Sequence, residues 1–145
     1  MRVVHISTGL GNGGSEGMLY RICKEHNKSL NQQIHVINLS NNNWYERKLK
    51  KIGIKVHKIY FKKKISDILQ IIVLTKLLIK LKPDIIQTWM YHANLIGGVL
   101  GYCFTKAKII WNIRHTKVSF KYSKLSTILV VNLLSFISLR IPKKI

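Results

Sequence analysis

Acidic residues are scarce in this sequence: five Asp and Glu stand against 25 Lys and Arg in 145 residues, a formal net charge of +20. There is no pair of carboxylates, no Ser-His-Asp order and no metal-ligand spacing, so hydrolase and metalloenzyme chemistry finds no support. Two cysteines, Cys23 and Cys103, lie far apart without a C-x-x-C spacing. That excludes a disulfide-stapled miniprotein, argues against structural zinc and fits a reducing compartment. A signal peptide is missing too, because the apolar stretch after Arg2 runs only from Val3 to Ile6. Long apolar runs are absent: fifteen residues separate Lys124 from Arg140, and a span needs about 20. Asn132, Ser135 and Ser138 also stripe that segment, which reads as a core-packed or interfacial helix.

Hydrophobic residues make up 47% of the chain, which excludes intrinsic disorder, and the length suits one domain. The cations need care. Twenty are Lys and five Arg, beside 22 Ile and 10 Asn. All three abundant types have A/T-rich codons, so genome composition accounts for much of the excess. Arg, the residue suited to bidentate phosphate and base contacts, is not enriched. The charge reads as a solvated basic surface, or as attraction to an anionic membrane surface. Nucleic acid is not an expected partner, since clustered Arg and an aromatic stacking motif are both missing.

Strand and helix alternate along the chain. Expected strands are Arg2 to Ser7, Gln33 to Leu39, Ile54 to Ile59, Ile85 to Thr88 and Lys108 to Asn112. Between them come a helix with Met18, Leu19, Ile22 and Cys23 on one face, a short helix from Trp44 to Ile52 and a longer one from Ile65 to Leu81. Gly53 caps the short helix and Pro83 stops the long one. Helices from His92 to Tyr102 and Ser123 to Arg140 complete the set. The fold class is α/β, a Rossmann-like doubly wound parallel sheet. The sequence ends at Ile141-Pro142-Lys143-Lys144-Ile145, where a further strand is expected to start.

Three segments fall at the carboxyl rim of such a sheet, where ligands bind. The first, Thr8-Gly9-Leu10-Gly11-Asn12-Gly13-Gly14-Ser15-Glu16, holds more glycines than a turn needs. Free amides at the helix start favour an anion, Ser15 is placed to cap the helix, and Glu16 complements its positive end. Gly9, Gly11 and Gly14 satisfy G-x-G-x-x-G, yet no acid lies between Glu25 and Glu46 to hold a ribose. A dinucleotide site is therefore disfavoured. The second segment runs from Pro83 to Asn94 and places His92 just past the fourth strand, as a site residue or as a capping or core histidine. Asp84 falls on the opposite rim and reads as structural. The third, Trp111-Asn112-Ile113-Arg114-His115-Thr116, offers Arg114 to balance phosphate charge and His115 to exchange a proton. His5, His26, His35 and His57 read as packing or surface residues.

These segments, in this order, resemble the N-terminal domain of the family 4 glycosyltransferases, which have the GT-B fold. Gly13-Gly14-Ser15-Glu16 matches their G-G-x-E pattern. Lys82-Pro83-Asp84-Ile85-Ile86-Gln87-Thr88-Trp89 matches a K-P-D-I-I-H-T-H segment, with Gln87 and Trp89 replacing histidines. Met90-Tyr91-His92-Ala93-Asn94-Leu95 resembles members acting in cell-surface polysaccharide and lipopolysaccharide synthesis.

The resemblance implies a retaining transfer from a nucleotide-sugar co-substrate to a glycan or lipid-linked acceptor, with no metal and no other cofactor. It places Gly13, Gly14, Ser15 and Glu16 toward the donor phosphates, His92 and Arg114 on the acceptor side, and His115 as the catalytic candidate. It also implies a second, donor-binding domain carrying an E-x7-E motif, absent from residues 1–145, so a truncated or split enzyme inactive alone is expected. A noncatalytic, membrane-associated partner subunit of a split glycosyltransferase is the alternative. Either reading gives a cytoplasmic protein, free or peripheral at the inner face of the cytoplasmic membrane.

Overall fold

The computed structural model describes residues 1–28, 32–62, 67–113 and 125–145. Its strands are β1 (Arg2–Ser7), β2 (Gln33–Asn38), β3 (Lys55–Lys58), β4 (Ile85–Trp89) and β5 (Lys108–Asn112). They form one parallel sheet in the order β3-β2-β1-β4-β5. Helix α1 (Gly14–His26) follows β1, α2 (Glu46–Lys51) follows β2, and α3 (Asp67–Leu81) follows β3. After β4 the chain runs through α4 (Tyr91–Ala93), a π-helical turn (Asn94–Gly98) and α5 (Val99–Phe104). The last helix, α6 (Leu125–Ile137), follows β5.

A parallel sheet must be covered on both faces, and alternating strand residues divide between two cores. Val4, Ile6, Ile86, Ile109 and Trp111 pack on one face with Leu74 and Leu78 of α3 and Leu134 of α6. On the other face Ile34, Val36 and Trp89 pack with Leu19 and Cys23 of α1 and Leu49 of α2. Pairing near residue 145 fits the expected further strand: Lys143 N donates to Ile109 O at 2.8 Å and Trp111 N to Lys144 O at 3.0 Å. Lys144 thereby forms a parallel bridge with Ile110.

The helix expected from His92 to Tyr102 is the most altered element. A π-helical turn interrupts it where Gly97 and Gly98 lie against the sheet. A Cβ on Gly97 would stand 2.7 Å from Ile6 Cδ1, and one on Gly98 2.6 Å from Trp111 Nε1. Without side chains there the backbone is free to widen and to approach the strands. Helix α2 is also shorter than expected. Tyr45 N donates to Leu10 O at 2.9 Å, which binds Tyr45 to the glycine-rich loop before the helix begins. Gly53, at φ 82°, ends that helix as a left-handed residue should. The expected starts at Ile65 and Ser123 lie outside the described residues.

Three of the histidines within strands serve packing. His5 is fully buried, its Nδ1 accepting from Trp89 Nε1 at 3.4 Å. Desolvation, then the charge of His26, holds its pKa down at about 4, against a raising hydrogen bond from Gln87. His35 and His57 stack with centroids 5.3 Å apart, and burial depresses both, His35 to about 4.

Two predictions follow from this packing. Gly98→Ala should cost about 1–3 kcal/mol in urea unfolding, because the buried Trp111 indole must shift. Gly14→Ala, whose Cβ meets nothing within 4 Å, should cost almost nothing. The second concerns pH. Between pH 6.5 and about 4 the unfolded chain binds the His5 proton and the folded one does not. Stability is therefore full above 6.5 and falls as pH drops, His5 alone contributing about 3 kcal/mol at most across the window. Urea midpoints at pH 7 and pH 5 should differ less in His5→Phe than in the parent chain. An equal drop in both would remove His5 as the cause.

Candidate functional site

Strand order reverses between β1 and β4, so the chain leaves these neighbours toward opposite faces and opens a crevice at their carboxyl ends. Thr8 Oγ1 donates to Trp89 O at 3.3 Å and ties the two strand ends together at its floor. The cleft above has a volume of about 420 Å³. Hydroxyls line it from Thr8, Ser15, Ser40 and Thr127, with the Asn42 amide, the Glu16 carboxylate, His92 and the Met90-Tyr91 corner. Burial pushes the Tyr91 phenol up, so it stays protonated across the physiological range.

The glycine-rich loop forms one wall. Leu10 is fully buried and pins the loop to the core, while Leu10 N donates to Asn42 O at 3.0 Å. Asn38 holds that second loop in turn: its Nδ2 donates to Asn42 O at 2.8 Å and its Oδ1 accepts from Ser40 N at 3.1 Å. Close packing of the two loops explains two glycines. A Cβ on Gly9 would stand 2.9 Å from Ser40 Oγ, and one on Gly11 3.3 Å from Asn42 Nδ2. Gly13 lies under the Glu16 carboxylate, and Gly14 faces open space. Packing therefore accounts for every glycine of the loop except Gly14.

The expected Ser15 cap is corrected here. Helix α1 starts two residues earlier than a Ser15 cap would place it, with Gly13 at the N-cap and no side-chain cap bond. The Ser15 hydroxyl instead donates to Glu16 Oε2 at 2.6 Å. First-turn amides are thus left for solvent or a ligand, with a carboxylate beside them that accepts hydroxyl protons and opposes an anion.

The opposite wall is a strained corner. Met90 sits at φ 72° and ψ 162°, a region costly for any residue with a Cβ. Asn94, fully buried, holds the corner. Assigned from its hydrogen-bond network, its amide nitrogen donates to Thr88 O and Met90 O, each at 3.2 Å, and lies 2.7 Å from Thr88 Oγ1. Thr88 Oγ1 reaches on toward Ile110 O at 3.4 Å, and Met90 N donates to Asn112 O at 3.0 Å. These bonds fix the turn that carries His92 to the cleft.

Ser15, Glu16 and His92 therefore meet in one cleft, whereas Gly13 and Gly14, both exposed, are not part of its lining. Arg114 and His115 lie outside the described residues. Ser40, Asn42 and Thr127 were not singled out from sequence. A Ser and an Asn after a strand, and a Thr on an apolar helix, give no signal of their own. Asp84 is on the far rim, its Oδ2 accepting from Arg2 N at 2.6 Å. A larger hollow of about 1110 Å³ opens there, among Pro83, Asp84 and Cys103. It faces the amino ends of the strands, away from the loops that bind ligands in such sheets. Among the described residues no cluster of His, Cys, Asp or Glu could hold a metal ion.

Asn94→Leu should destabilise the chain by about 1–2 kcal/mol, since it removes the side-chain amide that ties Thr88 O to Met90 O, although the backbone N of residue 94 still donates to Met90 O at 2.9 Å. Urea unfolding measures this. A loss under about 0.5 kcal/mol would mean that the corner does not depend on the amide.

No protein-family model and no curated protein matches the sequence, but solved structures do match the fold. HepE from Anabaena, determined in complex with UDP and glucose, superposes with a TM-score of 0.70 at 15% identity, over 92% of this chain and 35% of its own. The UDP-GlcNAc 2-epimerase of Methanocaldococcus jannaschii gives 0.62 at 19% identity, over 90% and 36%. The lipopolysaccharide outer core galactosyltransferase WaaB gives 0.56 at 15% identity, over 77% and 32%. The chain spans about a third of the length of each. It has the α/β Rossmann-like fold, a doubly wound parallel sheet, that forms the N-terminal half of GT-B glycosyltransferases.

Proposed function

We propose that this chain is the acceptor-side domain of a glycosyltransferase that moves a sugar from a nucleotide-sugar to a cell-surface glycan or lipid-linked acceptor. The observation that carries the reading is the cleft between β1 and β4, where Ser15, Glu16 and His92 converge under a wall of hydroxyl and amide groups. Such a lining suits a polyhydroxylated ligand, because each sugar hydroxyl both donates and accepts. HepE, of similar fold, binds UDP and glucose.

On this reading the amides at Gly13 and Gly14 face the donor diphosphate, and Glu16 accepts hydroxyl protons from a sugar. His92 orients the acceptor. The acceptor oxygen bonds to the anomeric carbon while the bond to the diphosphate breaks, and the nucleoside diphosphate leaves with that electron pair. His115 is the residue assigned to take the hydroxyl proton, with Arg114 balancing phosphate charge. Transfer gains its rate from holding donor and acceptor together, which needs a second domain for the nucleotide. The chain by itself is expected to bind but not to turn over.

Amide NMR of the labelled chain, titrated with UDP-glucose at millimolar concentration, tests the site. Shifts should gather at residues 9–16, 40–42 and 90–92, and Gly14→Trp should abolish them without lowering the melting temperature. Shifts gathered around Asp84 and Cys103 instead would discard the assignment. In an assembly that includes a donor domain, His115→Ala should lower turnover about 100-fold or more.

A further inference from the structure

The three tryptophans are placed differently. Trp89 and Trp111 are buried, whereas Trp44 is 57% exposed. A single exposed aromatic needs no explanation, but Trp44 belongs to a row. Tyr45 follows it, half-buried, and the ring of Tyr20 on α1 lies 5.6 Å from that of Tyr45. Lys48 Nζ stands 4.9 Å from the Tyr45 centroid and 5.8 Å from the Trp44 centroid, a cation over the π-face of each. A lysine covers one face of an indole, and at this exposure the other is open.

The row is held firmly beside the cleft. Asn42, two residues before Trp44, lines the cleft with Ser40. On either side of Trp44 the backbone is fixed, Tyr45 N donating to Leu10 O and Glu46 N to Asn43 O at 3.0 Å. The Tyr45 hydroxyl packs on Gly17, where a Cβ would stand 3.2 Å from it, and Gly17 adjoins Glu16 of the cleft. The rings therefore continue the cleft wall outward.

Charge narrows the ligand. Buried Glu46 is taken by Lys50 at 2.7 Å and Lys58 at 3.0 Å. Among the described residues no carboxylate pairs with Arg47 or Lys48, both exposed. The negative face of an indole attracts the C–H edge of a pyranose, and the cations beside it attract an anion. A nucleobase stacks as well, but is itself uncharged.

We infer that Trp44, with Arg47 and Lys48, forms a second sugar subsite. It takes the unit next to the reacting one on an acceptor that carries a carboxylate or a phosphate. This deepens the proposed transfer and rests on it.

Acrylamide quenching of tryptophan emission tests the subsite in the full 145-residue chain, because Trp44 is the tryptophan the quencher reaches. The probes are cellobiose, cellobiouronic acid and cellobiose 6′-phosphate at millimolar concentration. An acidic disaccharide should shield Trp44 and bind about fivefold tighter than cellobiose, the tighter of the two identifying the group. Arg47→Gln with Lys48→Gln should erase that difference, while Lys76→Gln with Lys80→Gln, on α3, should keep it. Trp44→Ala should weaken binding about tenfold, read from amide shifts at residues 42–48, with the melting temperature unchanged. Equal binding of the three disaccharides, or no shielding by any, would overturn the subsite. Shielding of Trp44 by UDP-glucose would give the ring to the donor base and overturn it too. None of these results alters the UDP-glucose shifts at residues 9–16 and 90–92, on which the proposed transfer is tested separately.

Discussion

All five strands run parallel, and that constraint orders everything else. A parallel sheet cannot leave a face to water, so β1 has to be apolar on successive residues rather than alternate ones. Val3, Val4 and Ile6 are all buried, and His5 between them stays neutral because it shares that dry interior. Each crossover must return to the amino end, so every loop leading out of a strand lies on one rim. The glycine loop and the His92 turn, some 80 residues apart in sequence, become neighbours because β1 pairs with β4.

Absent side chains serve two purposes in this arrangement. Gly97 and Gly98 let the segment after β4 press onto Ile6 and Trp111, which sets the depth at which the chain leaves the sheet. A helix held that close requires a sharp exit from the strand, and the exit is Met90 at positive φ, clamped by Asn94. Gly14 works differently. Nothing in the protein occupies the space a Cβ would take there. Strain at Met90 and open space at Gly14 are both departures from what packing alone would favour.

The sheet was legible in the sequence because burial on both faces writes itself as β-branched runs, such as Val3 to Ile6 and Ile85 to Ile86. The rim was legible from the same runs, since a loop after a strand has only one place to go. Ser15 was misread because capping rules look for the first polar side chain before a helix. Here glycine holds that position and the helix begins at Gly14. The π-helical turn and the Asn94 clamp leave no local signature: both depend on Ile6, Trp111 and Thr88, which belong to other elements. Thr127 reaches the cleft from a helix whose apolar pattern speaks only of packing and surface.

Helix α6 has two sides with different surroundings. Its Thr127 lines the cleft, while Leu129, Leu133 and Phe136, from two residues further on, are exposed. Leu134 between them is buried against the sheet, so one helix closes the core, reaches the cleft at its first turn and leaves an apolar side uncovered along the rest. A substitution on that outer side therefore changes the surface of the domain without touching the cleft lining.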